Sequence, residues 1–225
     1  MRVAVLNVSH RPEAAMANFR RLIDPIDGVE PVEYDVRGLE LPDDDEVGAA
    51  VITGSVDSVN DDRPYVRALR EWVRNSDVPI FGVCFGHQII ADALGGTVAR
   101  MRDPELGYRT LTVDRPDDPL FDGLPAELTA FACHGDAVVD PPPDATVLAS
   151  NDRGVQALRA GRNVSIQFHP EVDPEFARTL LGDVTASEDD RVEALATVTA
   201  ANYRESLRTR VLFRNFLEAT GTDGR

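Results

Sequence analysis

Residues 1–94 alternate short apolar or β-branched runs with stretches of helical periodicity, and this rhythm restricts the fold more than any other feature of the chain. Strand-like runs fall at residues 3–8, 32–36, 49–53 and 79–83, and helical patterns at 16–23, 66–73 and 89–94. Strands that alternate with helices join through βαβ crossovers into a parallel sheet with helices on its faces. The middle of the chain reads differently. Runs at 97–101, 110–113, 128–132, 146–149, 155–158 and 164–168 are separated by turn-rich segments such as Pro141-Pro142-Pro143 and Asn151-Asp152-Arg153-Gly154, which predicts mostly antiparallel strands extending the same unit. From about residue 185 the pattern is helical again. Ser187, with Asp190 three residues later, can cap a helix, and Leu207, Val211, Leu212, Phe216 and Leu217 lie at roughly helical spacing. That terminal helix is expected to pack back on the sheet. No internal repeat and no low-complexity linker interrupts the chain, so residues 1–225 read as a single α/β domain with a central, largely parallel sheet and an antiparallel extension.

A sheet of this size needs a sizeable core, and 225 residues of which 43% are hydrophobic supply one. The opening Met1-Arg-Val-Ala-Val-Leu-Asn-Val is an apolar run of strand length, not a charged region followed by a long hydrophobic segment, so neither a signal peptide nor a membrane span is expected and the protein is expected to be cytoplasmic. Two cysteines in such a chain, Cys84 and Cys133, are expected to be free thiols. The formal net charge is −16, and all 23 basic residues are arginine. Phosphate binding needs a basic surface, so nucleic acid is not an expected partner. Acidity without lysine fits either a salt-adapted protein or an ordinary solvated acidic surface, and neither bears on catalysis. Without lysine there is also no Walker-type phosphate loop.

The most informative stretch runs from Val78 to Gly96, where the apolar strand Pro79-Ile-Phe-Gly-Val83 leads straight into a helix with Cys84 at the junction. Glycines at 82 and 86 flank the cysteine at −2 and +2. Such small neighbours permit a sharp strand-to-helix turn that lifts a nucleophile above the sheet, and the helix N-terminus favours a thiolate there. The backbone N–H of Phe85 is then placed to donate to an oxyanion. Taken alone, the junction is equally compatible with a buried structural cysteine. A second segment, Val164-Ser-Ile-Gln-Phe-His169-Pro-Glu171, ends an apolar strand in a histidine with a carboxylate two residues on. Pro170 biases His169 towards extended backbone, so the His169 and Glu171 side chains can share a side. A base and its orienting carboxylate beside a cysteine complete a nucleophilic triad.

These residues resemble the class I, triad-type glutamine amidotransferases, and among them free-standing members similar to the glutaminase part of GMP synthase. The resemblance rests on Gly82-Val-Cys84-Phe-Gly86-His-Gln88, on Gln167-Phe-His169-Pro-Glu171 and on His134-Gly135-Asp136, with weaker matches at Pro119-Leu-Phe-Asp-Gly-Leu-Pro125 and Glu105-Leu-Gly107. It implies a flavodoxin-like layered fold, no cofactor, and hydrolysis of the glutamine side-chain amide through a Cys84 thioester, with His169 handling the proton and Glu171 orienting it. It further implies that Gln88 and the loop His134, Gly135 and Asp136 line the glutamine pocket, that Gly54 supplies the second oxyanion donor, and that ammonia passes to a separate synthetase. One position departs from the family pattern. Where a Gly-Gly-Pro turn is usual, this chain has Thr53-Gly54-Ser55-Val56-Asp57-Ser58. That segment also resembles the pyrophosphate loop of ATP pyrophosphatases, but it follows two strands instead of opening the domain, which favours the oxyanion role.

Three other functions compete. Metal binding by Cys84, Cys133, His134 and His169 lacks paired ligand spacing, so no metal is expected, Cys133 is expected in the core, and His10 and His87 are expected to be structural or surface residues. A stand-alone γ-glutamyl hydrolase or peptidase would use the same thioester chemistry on other γ-glutamyl small molecules. A catalytically silent glutamine-binding regulatory subunit is the third.

Overall fold

A computed structural model describes residues 1–184 and 187–222. Strand β1 (Arg2–Asn7) shows why the first half forms a parallel sheet. Val3 and Val5 enter one apolar cluster while Ala4 and Leu6 enter another on the opposite face, and all four are fully buried. A strand buried on both faces needs cover on both, which the helices supply. On one side lie α1 (Pro12–Ile23) and the terminal α7 (Val211–Thr222). On the other lie α2 (Pro64–Asn75) and α3 (Phe85–Ala93). The terminal helix packs back on the sheet as expected: Phe213 stacks against Phe81 with ring centroids 4.5 Å apart and meets Phe19 edge-on at 5.8 Å.

The remaining strands are β2 (Glu30–Asp35), β3 (Ala49–Ile52), β4 (Ile80–Val83), β5 (Thr97–Val113), β6 (Glu127–Asp140), β7 (Thr146–Asn151), β8 (Gly154–Ala160) and β9 (Asn163–Ile166). They form one nine-stranded sheet in the order β2-β1-β3-β4-β9-β8-β7-β5-β6. From β2 to β9 every pairing is parallel, and from β9 to β6 every pairing is antiparallel. The expected central parallel sheet with an antiparallel extension is therefore present. Parallel pairing brings the C-terminal ends of β1, β3, β4 and β9 to one edge, where sites in such sheets assemble.

Two details differ from the sequence expectations. The runs at 97–101 and 110–113 belong to the single long strand β5, which carries a register shift against β6 between Arg100 and Glu105, the segment that contains Asp103-Pro104. A proline interrupts ladder bonding, so the sequence looks broken where the strand only bulges. Helix α4 (Pro174–Asp183) is an element that the sequence patterns do not announce, although Asp173 accepts hydrogen bonds from Glu175 N and Phe176 N as its cap and Pro174 opens its first turn. Further on, the expected helical start near residue 185 lies outside the described residues. Ser187 caps α5 (Glu188–Ala196) by accepting from Asp190 N, as predicted, and α6 (Ala200–Ser206) follows. Helices α4 and α5 cover a third apolar cluster on β5 and β6 that includes Leu106, Tyr108, Phe131, Leu181 and Ala194. Among the described residues no helix is long and apolar enough to cross a membrane.

Candidate active site

Cys84 sits between β4 and α3 with φ 52° and ψ −100°, a left-handed conformation that a non-glycine residue rarely adopts. The turn is enforced from both sides. A Cβ on Gly82 would stand 2.4 Å from Gly86 O, and one on Gly86 would stand 2.5 Å from Ile52 O, so neither position accepts a side chain without moving backbone. The strand hold is completed by Cys84 N donating to Ile166 O at 2.9 Å, which ties the elbow to β9. The Phe85 side chain is buried in the core between sheet and α3, and its backbone opens the helix, where N–H groups have no intrahelical acceptor.

Beyond β9, His169 and Glu171 are both buried. His169 donates from Nδ1 to Glu171 Oε1 at 2.7 Å, and its ring lies beside Cys84. Burial alone would push the imidazolium towards neutrality, but the carboxylate of Glu171 and the facing Cys84 outweigh it and hold the His169 pKa well above the ordinary histidine value. Its backbone N donates to Phe131 O at 2.8 Å, anchoring the segment to β6. Gly54 faces the pair: a Cβ there would lie 3.0 Å from His169 Cε1 and 3.6 Å from Cys84 Cβ.

The Gly54 turn is pinned by polar side chains. Thr53 Oγ1 accepts from Val8 N at 3.0 Å. Asp57, with its side chain 6% exposed, is a hub for four partners: Tyr65 OH at 2.6 Å, Arg37 at 2.8 Å, His10 at 2.9 Å and Arg63 at 3.0 Å. Burial would raise the Asp57 pKa, but the hydrogen bonds from Tyr65, His10 and Arg37 outweigh it and hold the carboxyl below its ordinary value. Tyr65, buried and donating to that carboxylate, is pushed up to about 12 and stays a hydroxyl donor. Next in the turn, Ser58 donates to the Asp136 carboxylate and Asn60 to Val98 O.

On the far wall, His134 sets Nε2 3.0 Å from Glu105 Oε2 and Nδ1 2.9 Å from the Asp136 carbonyl. Glu105, 1% exposed, also accepts from Asn151 at 2.6 Å and Gln156 at 2.9 Å. Burial would raise its pKa, but these hydrogen bonds and His134 prevail and the pKa is lowered, as a buried carboxylate requires. Gln88 Nε2 donates to the same Asp136 carbonyl at 2.9 Å and to Gln167 Oε1 at 3.2 Å. Residues 134–136, expected as a loop, lie instead within strand β6 because they pair with β5, and the buried side chains of His134, Glu105 and Gln88 fix them there.

A cavity of about 530 Å³ opens over these groups. Every sequence-predicted site residue lines it except Phe85: Cys84, His169, Glu171, Gly54, Gln88, His134, Gly135 and Asp136 are all present. Sequence reasoning missed Ser58 and Arg100, which also line it, and the Asp57 hub beside them. Cys133 is a correction: it is half-buried, not core, with one side against the third apolar cluster and the other on the cavity wall. Its pKa is pushed up to about 12 by burial, with the neighbouring Cys84 adding to the shift. Both cysteines are free. His87 is structural as expected, fully buried with Nδ1 2.8 Å from Ser165 Oγ, and burial lowers its pKa to about 3 so that it stays neutral.

A family profile described as glutamine amidotransferase class-I matches residues 26–181. The glutamine-hydrolyzing GMP synthase of Thermomicrobium roseum is 33% identical over 183 residues, 80% of this chain and 33% of the relative. The namesake of Pyrobaculum aerophilum is 39% identical over 57% of this chain and 25% of its own length, so the chain spans only a fraction of these longer relatives. A protein of Sulfolobus acidocaldarius named as one subunit of a glutamine-hydrolyzing GMP synthase is 35% identical over 56% of this chain and 69% of the relative. Among solved structures, a glutamine amidotransferase of Thermotoga maritima superposes with a TM-score of 0.77 at 21% identity, covering 98% of this chain and 97% of the other. At that identity the likeness speaks for the fold alone. The profile match over most of the chain establishes that this protein belongs to the class I glutamine amidotransferases.

Proposed function

We propose that the chain, acting as one catalytic unit, is a glutaminase that hydrolyses the side-chain amide of glutamine through a Cys84 thioester and supplies ammonia to a synthetase on a separate chain. One observation carries this reading: a strained Cys84 beside a buried His169 whose Nδ1 is held by Glu171. Cys84 Sγ attacks the γ-amide carbon, His169 gives its proton to the departing nitrogen, and the backbone N–H groups of Gly54 and Phe85 stabilise the oxyanion. Water, deprotonated by His169, then releases glutamate from the thioester. Gln88, His134, Gly135 and Asp136 form the end of the pocket that holds the amino-acid head of the substrate. The Sulfolobus relative is named as a subunit of a glutamine-hydrolyzing GMP synthase, not as the whole enzyme, which supports a separate synthetase, GMP synthase-like, as the ammonia acceptor.

The test is ammonia release from glutamine by wild type, Cys84→Ala and Glu171→Gln. Removing the nucleophile is expected to lower kcat by more than ~10⁴-fold with the fold intact, and removing the orienter by about 10²-fold less than that. Glu171 raises the His169 pKa, so the imidazolium that protonates the leaving group persists above the ordinary histidine range and is lost as pH rises through the raised value. Glu171→Gln should therefore move the alkaline limb of the pH–rate profile to lower pH. A Cys84→Ala enzyme with full activity contradicts the proposal.

A further inference from the structure

We propose that Glu105 is a positioning residue of the glutamine pocket: it holds His134 as a buried imidazolium, and the pair locks the backbone of Gly135 and Asp136 for the amino-acid head of the substrate. The inference rests on the glutaminase reading above. Glu105 stands behind the cavity wall, against His134, which lines it.

The protonation state follows from the partners. Arg153 N donates to Asn151 Oδ1 at 2.8 Å, which turns the Asn151 Nδ2 group towards Glu105 Oε1, 2.6 Å away. Gln156 Nε2 reaches Glu105 Oε2 at 2.9 Å and Asn151 Oδ1 at 3.2 Å, and it donates to both, since the Asn151 carbonyl can only accept. Glu105 therefore receives N–H donors on both oxygens, and its lowered pKa keeps it ionised. His134 Nε2 lies 3.0 Å from that carboxylate, and Nδ1 lies 2.9 Å from the Asp136 carbonyl oxygen. A carboxylate and a carbonyl only accept, and a neutral imidazole has a single N–H to offer. Only the imidazolium satisfies both contacts. A cation and an anion with side chains 3% and 0% exposed are tolerated because they are paired and each is hydrogen-bonded further. His87, the titratable neighbour that feels the His134 charge, is kept neutral by burial.

With both N–H groups engaged, His134 has no donor left for a substrate and acts through what it holds. The Asp136 carbonyl takes one hydrogen bond from His134 and a second from Gln88 Nε2 at 2.9 Å, which fixes the peptide plane. The strands make that lock necessary. β5 and β6 pair at Glu105 with His134 and at Arg100 with Asp136, and the register shift between Arg100 and Glu105 puts Gly135 opposite the bulge. A bulge leaves ladder bonds unmade, and Gly135 has no side chain to secure it in their place. The glycine of Glu105-Leu-Gly107 steadies the facing strand: a Cβ on Gly107 would stand 2.5 Å from Thr197 Oγ1, so β5 packs tightly against the end of α5. What the locked segment contributes to the cavity lining is Gly135, which is backbone alone, and Asp136.

The full chain is compared with Glu105→Gln, which keeps the shape of the side chain and removes its charge. Glutamine KM is expected to rise about tenfold or more while kcat changes less than about threefold, the pattern of lost substrate binding with intact chemistry. Cys84 is then labelled with two electrophiles. A glutamine-mimicking chloroketone that carries the amino-acid head is expected to react about tenfold more slowly with Glu105→Gln, whereas iodoacetamide, which lacks the head, reacts at the wild-type rate. Nitrogen NMR of isotope-labelled wild type at neutral pH is expected to show both His134 ring nitrogens protonated, a state lost in Glu105→Gln. The wild-type spectrum needs no variant, so it decides even where Glu105→Gln does not fold. A neutral His134 in the wild type overturns the proposal. So does an unchanged KM in Glu105→Gln, or an equal slowing of both electrophiles, which would mean that the carboxylate supports the fold at large. These results leave the glutaminase reading standing. A wild type that neither hydrolyses glutamine nor takes the chloroketone overturns that reading, and the role of Glu105 with it.

Discussion

Two turns face each other across the Cys84 cavity and are held by opposite means. The elbow at Cys84 is steric: Gly82 and Gly86 press so closely on neighbouring backbone that the strained φ of 52° follows from packing alone. The turn at residues 53–58 is electrostatic: Gly54 has no positive φ, and its position depends on Thr53, on Ser58 and above all on the Asp57 hub. The usual Gly-Gly-Pro of related chains would stiffen such a turn through the backbone itself. Here side chains from the segments after β1 and β2 and from the start of α2 converge on one buried carboxylate instead. A site assembled this way has one wall fixed by shape and another fixed by charge, and the two should fail under different perturbations.

The largest effect is expected at the elbow. Gly86→Ala places a Cβ against the Ile52 carbonyl, and it should destabilise the fold by about 3 kcal/mol or more in chemical denaturation. A variant of wild-type stability would show that the elbow is not sterically enforced. Next comes Asp57→Asn, which should leave the fold largely intact but lower kcat by ~10–10²-fold, a fraction of the ~10²–10³ that follows loss of an oxyanion donor. Unchanged kcat would break the comparison, since the turn would then hold without its hub. The pH response sharpens it. The Asp57 pKa is lowered in the folded chain, so its contribution is fully present above the unfolded carboxylate value, ~3.9, and is lost as pH falls through the lower folded one. Across the neutral range the Asp57 carboxylate itself should therefore stay ionised, and acid loss of the hub through Asp57 should appear only below the ordinary carboxylate range. Smallest is Arg63→Ala: the arginine side chain is 44% exposed, so removing it should change stability by less than about 1 kcal/mol and kcat by less than about threefold. A tenfold loss would mean that Arg63, not the buried partners, sets the turn.

Local patterns carried much of this molecule into its sequence. The alternation of strand and helix, the glycine-flanked Cys84 and the His169-Pro170-Glu171 segment all encode their geometry within a few residues, and each has that geometry in the structure. What could not be read is what depends on pairing between distant segments. Glu105 meets His134 only because β5 and β6 pair in that register, and Asn151 and Gln156 reach it from β7 and β8. The Asp57 hub collects residues from positions 10, 37, 63 and 65, and no spacing rule joins them. Cys133 looks like core because half of it is; that its other side lines the cavity depends on where α4 falls, and no local pattern places α4.

The central claim is that Cys84 is the nucleophile of a glutamine-hydrolysing site. Intact-mass analysis of wild type and Cys84→Ala after exposure to a glutamine-mimicking electrophile tests it most directly. A single adduct on wild type, mapped to Cys84, absent from Cys84→Ala and suppressed by excess glutamine, is the predicted result. Labelling that persists in Cys84→Ala, or that maps to Cys133 and ignores glutamine, would contradict it.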